Sequence, residues 1–211
     1  MKKALLFVLV LIAVGCAEPI PRNLEDLSMH GPQYLDPETL EPYSGPAYRT
    51  SEYDSTQIVL RVNLRDGRFH GDFEDFEIEG AADSLGLYET GTYRDGQREG
   101  RYEYFYPSGV LRGRGTYENG LEEGPYESYY ENGEPRNKVN YTDGKENGPI
   151  EVYHENGQLS WKYTYVAGKM DGPFEAYHEN GQLWEKGTYV AGEPCGEWTI
   201  EGEAQTYPKP C

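Results

Sequence analysis

Between residues 93 and 200, apolar and polar side chains alternate in short runs, and glycine interrupts each run within about ten residues. Period-two alternation over that length predicts half-buried β-strands. A helix needs a longer unbroken window than these runs leave. In residues 148–165 (GPIEVYHENGQLSWKYTY), Ile150 and Val152 point one way, Glu151 and Tyr153 the other. The start of the chain reads differently. Residues 4–14 (ALLFVLVLIAV) form an unbroken apolar run of 11, about half of what a membrane-spanning helix needs.

The alternation itself recurs. Tyr93, Tyr117, Tyr141, Tyr165 and Tyr189 stand 24 residues apart. Two glycine series keep the same period, one from Gly96 to Gly192 and one from Gly100 to Gly196. Gly109, Gly133, Gly157 and Gly181 form a fourth series. A fixed period of this size predicts a repeat architecture. A degenerate unit stands at residues 64–76 (LRDGRFHGDFEDF), and Gly45-Pro46-Ala47-Tyr48 reads as the remnant of another. Between Phe76 and Tyr93 the spacing stretches by five residues, which predicts an insertion or bulge.

Each unit carries two turn signals. Ser108-Gly109, Asn132-Gly133, Asn156-Gly157 and Asn180-Gly181 predict tight two-residue type I′ hairpin turns. The other signal, as in Ala167-Gly168-Lys169-Met170-Asp171-Gly172, predicts a looser loop. Alternating turns make an elongated antiparallel meander of repeated hairpins, an all-β fold. With Asn156-Gly157 as the turn, Glu151 faces Lys162. The same rule sets Glu175 against Lys186, Glu127 against Lys138 and Glu103 against Arg114. Opposite charges in facing positions contribute roughly 0.2–1 kcal/mol each. On the other face Ile150, Val152 and His154 are expected opposite Tyr163, Trp161 and Leu159, and His178 opposite Leu183. Tyr102 over Gly115 and Phe174 over Gly187 pair a ring with a gap. This face is the expected core, sealed by tyrosines.

Met1-Lys2-Lys3 before the apolar run, and small residues after it, predict a signal peptide over residues 1–15. Its end, Ala13-Val14-Gly15-Cys16, resembles the lipobox of bacterial lipoproteins, with Ala13 where Leu is commonest. The resemblance implies that Cys16 becomes the first mature residue and carries lipid, fixing the chain to the cell envelope. Ala17 after it resembles the outer-membrane sorting signal of Gram-negative cells. The alternative is an ordinary cleaved signal with an incidental cysteine. Residues 16–42 hold five prolines and few apolar side chains, which predicts an extended acidic tether. A short helix at residues 23–27 is allowed within it. Residues 43–92 then hold the degenerate repeats with their insertion, 93–200 the four to five regular ones, and 201–211 a C-terminal cap.

Composition narrows the partners. There are 37 acidic and 19 basic residues, a net charge of -18. Removal of Lys2 and Lys3 with the signal peptide leaves 17 minus 37, or -20. Phosphate-rich partners are repelled by such a surface, so no nucleic acid is expected, and membrane attachment is expected through Cys16 only. Cys195 and Cys211 are the remaining cysteines. An oxidising compartment allows them one pairing, which would pin the tail to the last repeat.

The pattern Tyr-x-x-Gly-x-x-x-Gly-Pro-(aromatic)-Glu-x-Tyr-x-Glu-Asn-Gly-Gln-Leu resembles the bacterial variant of the MORN repeat. Tyr141, Gly144, Gly148, Tyr153, Gly157 and Leu159 carry the match. The resemblance covers residues 93–198 well and 64–76 loosely. It implies an array of β-hairpins used as an interaction platform, with no catalytic residues. Many bacterial members carry an antitoxin label by similarity.

No reaction centre is legible. His154 and His178 share one repeat position, held by Tyr106 and Tyr130 elsewhere, and two strand spacings are too wide for one metal ion. Asp72-Phe73-Glu74-Asp75 lacks the spacing of a calcium loop. The periodic glutamates lack the asymmetry of a glycosidase pair. No enzyme activity, cofactor or metal is therefore expected. Phe105, Tyr129, Tyr153 and Tyr177 form a row of rings on the charged face and are the candidate binding stripe, with Arg112, Arg136, Ser160 and Trp184 as expected cross-strand neighbours. The alternative is that each ring only covers its neighbour. The expected function is a lipid-anchored, non-enzymatic protein–protein interaction platform of unknown partner. The alternatives are a glycan or cell-wall binding module and an antitoxin that meets its toxin outside the cytoplasm.

Overall fold

The computed structural model describes residues 19–79, 84–208 and 210–211. The expected signal peptide and the expected lipidation site, Cys16, lie outside them.

The chain is all-β. Gly45–Thr50 pairs with Ile58–Arg65, Gly71–Glu79 with Ser84–Arg94, and Gly100–Phe105 with Leu111–Glu118. Gly124–Tyr129 pairs with Pro135–Thr142, Gly148–Tyr153 with Leu159–Val166, and Gly172–Tyr177 with Leu183–Val190. Each hairpin also pairs antiparallel with the next, so the strands run in chain order through one sheet of 20 strands among the described residues. Glu193–Ile200 and Glu203–Tyr207 end it. The hairpin of Gly71–Glu79 and Ser84–Arg94 is longer than the others, where the repeat spacing stretches.

The facing charges stand in register: Glu103 with Arg114, Glu127 with Lys138, Glu151 with Lys162, Glu175 with Lys186. The turns are assigned the other way round from the sequence expectation. The two-residue type I′ turns are Asp143-Gly144, Ala167-Gly168 and their equivalents. Asp143, Gly144, Ala167 and Gly168 have φ of 50°, 72°, 50° and 80°, and Thr142 faces Lys145 across the turn. At Asn156-Gly157 only the glycine has positive φ. There the Gly157 N–H donates to the His154 carbonyl at 2.9 Å, and the His154 N–H donates to the Gln158 carbonyl at 2.8 Å. That is a type I turn closed by a left-handed glycine. The Asn156 side chain braces this turn. Its Oδ1 accepts from the Gln158 N–H at 3.0 Å, and its Nδ2 donates to the Glu179 carbonyl at 2.8 Å. Ser108-Gly109 takes the same turn without an asparagine, the Gly109 N–H donating to the Tyr106 carbonyl at 2.8 Å.

The longer turn carries a β-bulge with it. Val152 faces Trp161, but Tyr153 faces Leu159, so Ser160 is the extra residue. The same slip makes Arg112, Arg136 and Trp184 extra residues. A bulge re-aims side chains. His154 and His178 therefore do not face Leu159 and Leu183 as expected; Tyr153 and Tyr177 do.

The expected tether is folded from Arg22 onward. Arg22–Asn23 pairs parallel with Gly45–Thr50 at the N-terminal edge. Leu24–Asp26 is a single 3₁₀ turn capped by Asn23. It drives Leu24 and Leu27 into a core with Ala47, Leu60, Val62, Leu64 and Phe73. Ser28–His30 and Gln33–Leu35 form a small separate hairpin. Two buried leucines outweigh a proline-rich composition, at roughly 1.5–3 kcal/mol per buried side chain.

At the other end Cys195 and Cys211 form a disulfide. Trp198 is buried there against Phe174, Tyr189 and Tyr207, over Gly187.

Candidate functional site

Strand alternation gives the sheet two unlike faces. One is charged, and its pairs are continuous beyond single hairpins. Register runs from Glu103 through Arg114, Glu127, Lys138, Glu151, Lys162 and Glu175 to Lys186. Every cation in this row stands between two acids except Lys186, which faces Thr199 on its far side. Closest approaches are 2.6 Å for Arg114–Glu127, 3.2 Å for Lys162–Glu151 and 3.0 Å for Lys186–Glu175.

The candidate stripe lies on this face and is tied into the row. Hydroxyls of Tyr129, Tyr153 and Tyr177 donate to Glu127, Glu151 and Glu175 at 2.8, 2.6 and 2.8 Å. The Arg114 guanidinium sits 5.8 Å from the centre of the Tyr129 ring, and the Lys138 ammonium 5.3 Å from that of Tyr153. Phe105, at the same repeat position, has no hydroxyl to offer. All four rings are half-buried. Their cross-strand neighbours are Leu111, Pro135, Leu159 and Leu183, in place of the expected Arg112, Arg136, Ser160 and Trp184. The hydrogen bonds shift both partners. Arg114 and the Tyr129 hydroxyl hold Glu127 below its ordinary range; Tyr153 and Lys162 do so for Glu151, and Tyr177 and Lys186 for Glu175. Burial and the adjoining carboxylate raise Tyr129 and Tyr153, and the Glu175 hydrogen bond with burial raises Tyr177.

The other face carries the ring-to-ring contacts. Tyr102 meets Tyr104, Tyr117 and Tyr126 at centroid distances of 5.3, 4.6 and 6.4 Å, and Tyr163 meets Phe174 at 6.4 Å. The bulges turn Tyr88, Arg112 and Trp184 onto this face as well. Tyr88 contacts Tyr104 at 5.7 Å, Arg112 stacks over Tyr106 at 5.7 Å, and Trp184 contacts His178 at 5.9 Å. Tyr88, Tyr104, Arg112 and Tyr126 line an open hollow of about 170 Å³.

Position 154 is a staple between hairpins. Hydroxyls of Tyr106 and Tyr130 donate to the carbonyls of Tyr129 and Tyr153 at 2.9 and 2.7 Å. His154 does the same through Nε2 to the Tyr177 carbonyl at 2.9 Å, which requires the Nε2–H tautomer. Gly109, Gly133, Gly157 and Gly181 hold the turns beside it, with φ between 78° and 87°.

One asymmetric polar group was not legible in the repeat. Glu89 is 3% exposed and grips Arg98 by two hydrogen bonds, one of 2.8 Å. Arg98 also donates to the Tyr104 hydroxyl at 3.2 Å and lies over the rings of Phe73 and Tyr117. Burial raises Glu89, and Arg98 opposes the rise. Asp75 faces Glu89 and is raised by burial too. One unit thus holds a polar cluster that its neighbours lack. Glu89 occupies the position that is Gly113, Asn137, Trp161 and Glu185 in later units.

An open hollow of about 440 Å³ lies on the charged face beside Arg101, Glu103, Arg114 and Glu127. Among the described residues, no group of three or more His, Cys, Asp or Glu is placed to hold a metal ion. None of their helices is long and apolar enough to cross a membrane.

Fold and faces together define a β-hairpin repeat protein with surfaces in place of an enclosed cleft. Residues 98–119, 122–143 and 170–191 each match the family model described as MORN repeat variant. No curated protein matches the chain. Among solved structures, a GtfA/B complex bound to UDP and GlcNAc is similar at 13% identity and a TM-score of 0.21. That match covers 74% of this chain and 27% of the other, so the chain spans about a quarter of that protein's length. A protein of unknown function from Bacteroides fragilis is similar at 13% identity and a TM-score of 0.13, over 78% of this chain and 94% of the other. Neither likeness carries a functional argument.

Proposed function

We propose that this chain is a non-enzymatic interaction platform of the cell envelope, anchored through lipid on Cys16. One observation carries the reading: the repeat sets out two long periodic faces, and in its asymmetric polar pair the buried Glu89 is matched internally by the half-buried Arg98. Repeat sheets of this kind offer extended surfaces to partners. The lipobox resemblance at Ala13-Val14-Gly15-Cys16 supports the anchor, and three acyl chains hold far beyond marginal affinity, at about 0.8 kcal/mol per buried CH₂.

Affinity capture with the mature domain from envelope extract, read by mass spectrometry, tests the platform. A discrete protein retained after salt washing is the expected result; retention of nothing but membrane debris counts against it. The anchor has its own test. Cys16→Ser is expected to move the protein from the membrane to the soluble fraction on ultracentrifugation, and unchanged membrane association sinks the lipid assignment.

A glycan-binding reading draws on Trp161 and Trp184, which are 44% and 38% exposed. Binding to a glycan array or sedimentation with peptidoglycan, lost in Trp161→Ser and Trp184→Ser, would favour it over a protein partner.

A further inference from the structure

The bulges lay out a row that does not repeat. One extra residue per hairpin gives Val59, Tyr88, Arg112, Arg136, Ser160 and Trp184 in chain order. The rows around it are nearly uniform: acid against base on the charged face, ring-bearing staples at Tyr106, Tyr130 and His154 beside the turns. In a repeat scaffold the uniform positions build the frame. Variation along this row, and along the neighbouring row of Glu89, Gly113, Asn137, Trp161 and Glu185, is where a partner can be read.

The two arginines say what that partner carries. Both are exposed and stack on tyrosines, Arg112 over Tyr106 at 5.7 Å and Arg136 over Tyr130 at 5.8 Å. Among the described ion pairs, Arg22, Arg61, Arg65, Arg94, Arg98 and Arg114 each hold a carboxylate, whereas Arg112 and Arg136, like Arg49, Arg68 and Arg101, hold none within 4.0 Å. In a chain of net charge -18, neighbouring arginines left without acids on an aromatic face complement an acidic ligand. The hollow of about 170 Å³ between Tyr88, Tyr104, Arg112 and Tyr126 gives it a place to seat.

Spacing selects its conformation. Leu111–Glu118 and Pro135–Thr142, which carry the arginines, are two strands apart, or about 9.6 Å. A polyproline II helix rises about 3.1 Å per residue with three residues per turn, so positions i and i+3 share a side about 9.3 Å apart. In a β-strand, i and i+3 point to opposite sides, and i and i+2 are only about 6.7 Å apart. Aromatic surfaces are also where polyproline II segments dock, and Tyr88 and Trp184 stand towards the two ends of the row. We propose that this row binds an extended polypeptide in polyproline II conformation, with carboxylates three residues apart seated on Arg112 and Arg136. This rests on the interaction-platform reading and gives it a ligand class.

The test uses the full mature chain and three fluorescein-labelled proline-rich peptides, read by anisotropy at low salt. The first carries two glutamates three residues apart, the second has glutamines there, and the third has the glutamates two residues apart. The first is expected to bind at least tenfold more tightly than either other. Arg112→Gln with Arg136→Gln should erase that tenfold preference, with circular dichroism and melting unchanged. Tyr88→Ser with Trp184→Ser should weaken the first and second peptides alike. Equal binding of the glutamate and glutamine peptides, absence of binding, or a preference that survives loss of both arginines overturns the proposal. A protein captured equally by the native chain and the arginine variant would leave the platform standing and remove only this site. Failure of the native chain to capture any protein counts against the platform, whatever the peptides do.

Discussion

Glu127, Glu151 and Glu175 each accept from a tyrosine hydroxyl two residues on, and the bond lowers the carboxyl pKa in all three. A lowered folded-state pKa means that the unfolded chain binds protons more readily. The stability these groups supply is complete above the ordinary glutamate pKa of about 4.3 and is lost as pH falls through the lowered values. Replacing Tyr129, Tyr153 and Tyr177 by Phe keeps the rings and removes the hydroxyls. We expect a loss of about 0.5–1.5 kcal/mol per site at pH 7 and a smaller loss at an acid pH low enough to protonate the three carboxylates. Urea titrations at both pH values decide it; equal losses would show that the hydroxyls act without the carboxylates. Asp75 and Glu89 have the opposite sign. Burial raises them, so their contribution is present below the ordinary carboxylate range and declines as pH rises through the folded values. Arg98→Met would leave Glu89 buried without its cation, a cost of roughly 3–5 kcal/mol. Adding Glu89→Leu should recover most of it. No recovery in a thermal melt of the double variant would mean that Arg98 matters through its stacking on Phe73 and Tyr117 instead.

At the scale of the hairpin, the turns are where strain is stored. Ala167 and Ala191 adopt φ of 50° and 52°, where a non-glycine side chain costs roughly 1–2 kcal/mol and Asn is better tolerated. Ala167→Asn and Ala191→Asn should therefore each stabilise the fold by up to about 1 kcal/mol, measured as a higher urea midpoint at unchanged slope. A lower midpoint would show that these turns are not type I′ in solution. The same elements show what sequence reasoning reaches. Strand identity, period and the register of four charge pairs were legible because alternation and a 24-residue spacing are properties of the string alone. The assignment of turn types was not. Asn-Gly is the usual type I′ signal, yet Asn132, Asn156 and Asn180 are each held by their own Asx bond to the residue two ahead. The bulge follows from the longer turn, so the neighbours of the candidate stripe and the row carrying Arg112 and Arg136 were beyond reach until the turn was known. Glu89 stayed hidden for a different reason. Its partner Arg98 is nine residues away across a turn, in a unit whose repeat is degenerate.

Across the whole molecule an open sheet must protect both of its edges, because unpaired strand edges recruit other strands. The C-terminal end is held by the disulfide between Cys195 and Cys211, 16 residues apart. A loop of that size contributes about 3 kcal/mol in the chain-entropy account. At the N-terminal end the work falls to the segment whose composition suggests a tether. Arg22–Asn23 covers part of the edge of Gly45–Thr50, and Leu24 and Leu27 lie over Ala47 and Leu60. These two roles predict different outcomes for a single deletion. If residues 17–42 only space the domain from a membrane, deleting them leaves a monomer of unchanged stability. If they cap the sheet, deletion bares a six-residue edge strand and the core beneath it. We expect the second: association seen by light scattering, and a lower melting temperature. Leu24→Ser with Leu27→Ser should reproduce the destabilisation without shortening the chain, since it removes the same packing and leaves the length alone. A deletion that stays monomeric and melts as the native protein does would return the segment to the role of a spacer. It would also mean that the first hairpin guards its own edge.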